Sequence, residues 1–517
     1  MKKHCLLFLL MATVFCGTTA AQTQTPRQDT FAIKGFHVDL RIQVMKMSAL
    51  KKLATRLREW GINTLLVEWA DNYPFKSEPL IPGRYAYTEG EIRDFTAYCN
   101  RIGLTLIPLQ ETFGHMQYVL RHEKYAGLRE DKTDFSQVCP LKVEQDNTLF
   151  VHLLGEIAKA DRSPYLHIGG DETRLLGHDK ACKEAVAAHG VSALYMNYTK
   201  MICNITLQQG KRPVLWADMV LKHPEALTVL PPQTVLMDWN YGWKLNHFGA
   251  YDKILQSGLE IWGAGAIRSS PDDYFLTCWQ KHFENIRHYI PEARKMGFSG
   301  IFMTSWSTSG IYAYLATSSS QLTDLYAIRH VYPITGFSML IAAYAQSLSS
   351  LKPLDIPAFV HRYSHSHYGF DDNQATLFWK ALTIAPYQVV NGKVVAPFPI
   401  SLKALQDSAR YASRILHDLR PEDNRQEYAH YCLMADLRLQ YLSFQRIQAQ
   451  ANADTTSPEE LQVLAKQLKD YLVTAQKLDK RYIQLNKDAF YVSELETENR
   501  LRNKPAVVLW EQISKSR

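Results

Sequence analysis

Between residues 36 and 306 the chain alternates short apolar runs with segments whose apolar side chains recur at helical spacing. The runs are Phe36–Arg41, Ile62–Trp69, Leu104–Leu109, the stretch opening at Tyr165, Pro213–Asp218, Thr234–Trp239, the stretch opening at Leu259, and Gly300–Trp306. Helical signals separate them. Ser48 precedes Leu50, Leu53, Ala54, Leu57 and Trp60, and Gly61 stops that helix. Thr88 and Glu91 have capping-box spacing ahead of Ile92, Phe95, Cys99 and Ile102. Further helices are expected around Leu149–Ile157, over Ser192–Leu207, before Gly258, and over Asp272–Met296. Strand and helix in strict alternation, repeated to eight strands, give a closed parallel (β/α)8 TIM barrel of the α/β class rather than an open sheet. The barrel is expected over residues 30–345, and residues 346–517 read as an all-helical C-terminal region that packs against it. There Ser401–Ile447 is strongly helical, and Ser457-Pro458 starts another helix with Ser at the cap and Pro at the first position.

The charge pattern excludes some functions. The formal charge is +7, yet no Lys/Arg run of the kind that binds nucleic acid occurs. Lys2 and Lys3 precede an apolar run from Cys5 to Cys16, and small residues then lead to Ala20 and Ala21. That layout predicts a secretory signal over residues 1–21 and an exported, periplasmic or secreted protein. The bulky Phe15 before Cys16 argues against a lipoprotein. No later apolar run reaches the roughly 20 residues of a membrane span. The remaining cysteines, Cys99, Cys139, Cys182, Cys203, Cys278 and Cys432, are scattered without a C-x-x-C, which argues against a zinc site built on them. Disulfides suit export, but their pairing is not readable from spacing.

In a parallel barrel the C-terminal strand ends and the loops after them form the active site. The fourth strand ends in His167-Ile168-Gly169-Gly170-Asp171-Glu172. Neighbouring acids leave the chain on different sides and can hold different protonation states, as acid/base chemistry requires. A helix N-cap is the competing reading of the same acids. Other strand ends pair aromatic and polar residues: Arg41; Trp69 and Asp71; Gly114 and His115; Trp216 and Asp218; Trp239 and Tyr241; Trp306. Each has a packing explanation alone. Together they line one rim, and aromatic walls with a few polar groups suit the apolar faces and hydroxyls of a pyranose.

The string His167-Ile168-Gly169-Gly170-Asp171-Glu172 resembles the signature of glycoside hydrolase family 20, the β-N-acetylhexosaminidases. Thr112-Phe113-Gly114-His115-Met116 is similar to the third-strand motif of its hexosaminidase D branch, and the resemblance covers roughly residues 36–310. It implies exo-hydrolysis of terminal β-linked N-acetylglucosamine or N-acetylgalactosamine from an oligosaccharide or glycoconjugate. Catalysis would be substrate-assisted and retaining, an exception among two-carboxylate glycosidases. The implied roles are as follows: Glu172 is the general acid and then base, and Asp171 orients the 2-acetamido group. Arg41 grips sugar hydroxyls. Trp216, Asp218, Trp239, Tyr241 and Trp306 bind the ring and acetamide, with Tyr241 donating to the acetamido oxygen. His115 and Asp71 form a supporting pair behind the acid. Mutual repulsion of the acids is expected to leave Asp171 ionised and Glu172 protonated. Neither cofactor nor metal is implied. Two departures from the family pattern stand out: Trp306-Ser307-Thr308 replaces Trp-x-Glu, and Glu111 has no assigned role. The family's N-terminal α/β domain has no expected counterpart.

Two rival readings share the barrel. A metal-dependent hydrolase would draw ligands from His37, His115, His167 and Asp171, but the first strand reads His37-Val38-Asp39 rather than His-x-His. A non-catalytic glycan-binding protein would need an acid lost or displaced, and both acids are present.

Overall fold

The computed structural model describes residues 31–515 except 250 and 320. The expected signal segment and Cys16 lie outside the described residues. Eight parallel strands close into a barrel in sequential order, β1 pairing with β8. They are β1 Ile33–Asp39, β2 Thr64–Glu68, β3 Thr105–Leu109, β4 Tyr165–His167, β5 Arg212–Trp216, β6 Val235–Trp239, β7 Glu260–Arg268 and β8 Gly300–Ser305. The helices between them are α1 Met47–Glu59, α2 Glu89–Arg101, α3 Gln117–Leu120, α4 Val143–Ala160, α5 Lys180–His189, α6 Val191–Gln208, α7 Asp218–Lys222, α8 Tyr251–Gln256 and α9 Trp279–Lys295. The fold class read from the sequence is the one observed.

Local signals hold where the side chain itself makes the bond. Thr88 and Glu91 form the expected capping box at α2. Ser48 caps nothing. α1 begins earlier, after Lys46, whose backbone N–H donates to Ala489 and whose ammonium reaches the Lys487 carbonyl. A tertiary contact therefore sets that boundary. α9 starts at Trp279 rather than Asp272, because Asp272 accepts from Cys278 N–H and is held by His282.

The barrel interior is filled by Leu66, Ile107, Leu109, Val214, Trp216, Val235, Met237, Trp262, Ala264 and Phe302. Bulk on one strand is matched by glycine on its neighbour. Trp262 and Phe302 stack with centroids 5.4 Å apart. A Cβ on Gly35 would lie 2.1 Å from the Phe302 ring, and one on Gly300 2.7 Å from Trp262. The lower barrel is thus a packed core, and the cavity over the strand ends opens at the upper rim.

Beyond the barrel come β9 Tyr312–Ser319 and β10 Leu322–Ala327, an antiparallel hairpin that the sequence reading did not anticipate. Helices follow: α10 Ser338–Ser349, α11 Ile356–Tyr368, α12 Asp372–Thr383, α13 Leu402–Asp418, α14 Arg425–Ala451, α15 Pro458–Asn486 and α16 Val492–Lys515. A second small hairpin, β11 Gln388–Val390 with β12 Lys393–Val395, corrects the all-helical expectation. Its strands are three residues each and show no long alternation to read. Ser457 caps α15 as expected. The helical region shares one core with the barrel's outer helices. Tyr344 of α10 donates between the Gly35 and Ile301 carbonyls of β1 and β8. Glu498 of α16 accepts from Gln43 just past β1.

Gly35→Ala should lower stability by about 2 kcal/mol or more, since the added methyl overlaps an aromatic ring in a full core. Adding Phe302→Leu should restore part of the loss in denaturant unfolding. No recovery in the double variant would show that the ring is not the obstacle.

Candidate active site

β4 stops after three residues because the chain then turns away from the sheet. Gly169 and Gly170 have φ of 65° and 90°. A Cβ on Gly169 would stand 1.8 Å from Glu111 Oε2, so the space beside the strand end belongs to that carboxyl. Glu172 and His115 also lie in the left-handed region, at φ 48° and 53°. Non-glycine residues are uncommon there and tend to mark functional positions. Gly114 lets the third-strand loop pass beneath the acids, since a Cβ there would come within 2.3 Å of the Asp171 carbonyl. Thr112 donates to the Ile168 carbonyl, and Tyr198 donates to that of Thr112. The two loops are thereby fixed against each other.

His115 joins the acids. Its Nε2 is 3.3 Å from Asp171 Oδ2 and 3.5 Å from Glu172 Oε2. Burial opposes a charge on this ring, but Asp171, with Glu172 and Glu111 behind it, outweighs burial and raises the pKa well above the usual histidine value. Glu172 moves the other way. Burial would raise it, but His115 and then Arg174 hold it down to about 2. The Arg174 guanidinium is 2.5 Å from Glu172 Oε1 and largely exposed at the mouth. The cluster therefore favours a charged His115 and an ionised Glu172. This corrects the expectation of a protonated Glu172: a cation between the acids relieves the repulsion that was to separate them. Glu111 is pushed well above the carboxylate range by burial and then by Asp171.

A cavity of about 200 Å³ opens over these groups, lined by Arg41, Glu111, His115, Asp171, Glu172, Trp216, Trp239, Tyr241, Trp243, Trp306 and Arg329, with Ser269–Ser270 and Thr308–Gly310. Trp216 and Trp306 stand 5.9 Å apart at 54°. Trp306 Nε1 donates to Tyr241 OH at 2.8 Å. Trp239 packs on Tyr241 at 5.2 Å and edge-on to Trp243. Arg41 lies over Trp306 and is clamped by Asp39 and Glu68, each 3.0 Å from its Nε.

Eight of the ten residues singled out from the sequence meet here: Arg41, His115, Asp171, Glu172, Trp216, Trp239, Tyr241 and Trp306. Two do not. Asp71 bonds Arg121 at 3.1 Å and faces a second cavity of about 310 Å³ beside α16, so the expected His115–Asp71 pair is replaced by His115 with the acids. Asp218 is fully buried beneath the site, where its Oδ2 accepts from the Glu172 N–H. Burial, then Asp171, pushes Asp218 up to about 7. Trp243 and Arg174 were missed. The pattern Trp239-Asn240-Tyr241-Gly242-Trp243 held a signal for the first, a third aromatic at two-residue spacing, whereas Arg174 lies in a turn and shows no periodicity. The rival metal set does not converge. His37 pairs with Glu68, and His167 accepts from the Gly169 N–H with its ring against Trp216.

Asp171→Asn should lower the His115 ring pKa, because it removes the largest raising partner, as read by NMR titration of that ring. A His115 titration unchanged by the substitution would break the link between them.

The family model described as "Glycosyl hydrolase family 20, catalytic domain" matches residues 41–321. Hexosaminidase D of Bos taurus is 25% identical over 287 residues, covering 52% of this chain and 83% of the bovine protein. Hexosaminidase D of Homo sapiens is 25% identical over 303 residues, covering 55% of this chain and 62% of the human protein. The crystal structure of a β-N-acetylhexosaminidase from Bacteroides fragilis superposes with a TM-score of 0.50 at 15% identity, covering 65% of this chain and 70% of that one, and shows the shared fold.

Proposed function

Because this chain belongs to glycosyl hydrolase family 20, the β-N-acetylhexosaminidases, we propose that it removes a terminal β-linked N-acetylhexosamine with Asp171, Glu172 and His115 as its proton-handling group. The observation that carries the assignment is the imidazole Nε2 within 3.5 Å of both acids at the floor of an aromatic-walled cavity. The substrate's 2-acetamido oxygen attacks the anomeric carbon as the bond to the leaving oxygen breaks. Asp171 holds the acetamide N–H and stabilises the positive charge that develops on that nitrogen. Tyr241, positioned by Trp306, donates to the acetamido oxygen, and Trp216, Trp239 and Trp306 enclose the methyl group and ring.

The leaving oxygen needs a proton from Glu172, whose pKa burial would raise but His115 and Arg174 hold low. The proton is nearby, on His115. A leaving group at the mouth displaces Arg174 and water from Glu172, and both changes favour the neutral acid. The His115 proton then passes to Glu172 and on to the leaving oxygen. The resulting carboxylate activates water against the oxazolinium-like intermediate and recovers the proton. Arg41 directs its free N–H groups at the sugar hydroxyls in place of the absent Trp-x-Glu glutamate. Export belongs to the same reading, supported by Lys2, Lys3 and the apolar run to Cys16. The N-terminal residue of protein recovered from outside the producing cell's cytoplasm tests it.

Glu172→Gln should cut turnover by roughly 10²-fold or more, the scale of a lost general acid. Aryl β-N-acetylhexosaminides with good leaving groups should lose less. Equal losses across leaving groups would remove Glu172 from that role. Asp171→Asn should also lower kcat, and a thiazoline mimic of the cyclic intermediate should inhibit the wild type strongly. A wild-type enzyme indifferent to the mimic, or one that cleaves the deacetylated sugar equally well, would refute acetamide participation.

A further inference from the structure

Two loops carry the acids and the histidine, and a second contact joins them away from the cavity. Cys139 lies between α3 and α4, in the β3–α4 connection that also carries His115 upstream of α3, while Cys182 lies in the first turn of α5, just past Glu172 and Arg174. Both are fully buried, and their sulfurs are 3.4 Å apart. The surrounding backbone is already pinned. Glu130 Oε1 accepts from the N–H groups of Gly177, His178 and Asp179, and Gln137 Oε1 accepts from Leu175 N–H. Val138 N–H donates to Phe113, and Met116 N–H to Ser136. Leu194, with Leu176, Ala185 and Val186, walls the sulfurs with apolar surface.

We propose that Cys139 and Cys182 form a disulfide that cross-links the two catalytic loops. Bond formation brings the sulfurs from 3.4 Å to the roughly 2.05 Å of a disulfide. Glu130 Oε1 is anchored by its three backbone donors, while its Oε2 is buried without a hydrogen-bond partner and the carboxylate lies within 4.8 Å of both sulfurs, which makes a bound cation the competing use of the cluster. In the reaction the two thiols give up two protons and two electrons. Their new S–S bond forms as the S–S bond of a small-molecule disulfide, such as glutathione disulfide, breaks to two thiols. Because both sulfurs are enclosed in the folded chain, exchange occurs before the loops close. Bridging residues 43 apart restricts the unfolded chain and so stabilises the folded one.

The test uses the full wild-type chain, produced in an oxidising compartment and held in a glutathione/glutathione disulfide buffer. It is denatured, alkylated without reduction, digested and mapped by mass spectrometry. The expected result is a peptide pair joined through Cys139 and Cys182, with Cys99, Cys203, Cys278 and Cys432 alkylated. Reduction before alkylation should release the pair, and reduced protein should melt about 3 °C lower. The Cys139→Ser/Cys182→Ser double variant should show the lower Tm with no response to reductant. Alkylation of both Cys139 and Cys182 in the unreduced sample overturns the proposal. So does a stoichiometric divalent ion in the wild type that is lost from Cys182→Ser.

Discussion

A protonated imidazole between two carboxylates organises the upper face of this barrel. Without that cation, Asp171 and Glu172 would stand as adjacent anions in a largely enclosed space, with Glu111 and Asp218 close behind. Low dielectric makes such crowding costly. The local backbone serves the arrangement. His115 and Glu172 both take left-handed conformations, and Gly114 and Gly169 give up side chains so that the loops can approach. These conformational costs are offset by the bonds between the loops, which run from Thr112 to Ile168 and from Gln137 to Leu175.

The alternation of apolar runs and helices was enough to identify the barrel, because each strand is buried on both sides and each helix carries one apolar face. The strand ends were equally legible, since strand position dictates which residues reach the rim. What escaped was set by tertiary contact. The β9–β10 hairpin has no strong alternation, and α1 begins where the Ala489 segment holds Lys46 rather than at Ser48. In the site, residue types on the rim could be named, but not their partners. Asp71 and His115 follow neighbouring strands and looked paired, yet Arg121 takes the carboxylate and the acids take the ring. Asp218 follows Trp216 by two residues, but the turn into α7 puts it beneath the cavity rather than in it.

The C-terminal helices do more than cover the barrel wall. Tyr344 ties β1 to β8 at the seam where the sheet closes on itself. At the other end, α16 comes over the rim, where Glu494, Glu498 and Arg500 share a cavity with Arg41 and His115. One helical region thus supports both the closure of the barrel and the surroundings of its mouth, and a single apolar core runs through both.

The clamp on Arg41 has a consequence for what the blind end of the pocket can recognise. Arg41, with Nε between Asp39 and Glu68, holds Asp39 well below the usual carboxylate range even though burial would raise it. The guanidinium is therefore already engaged by acidic neighbours of its own. What it offers the cavity is direction: N–H vectors whose orientation the two carboxylates fix. The direction of that guanidinium is thus set two residues past the end of β1, by a pair of carboxylates that stand behind it.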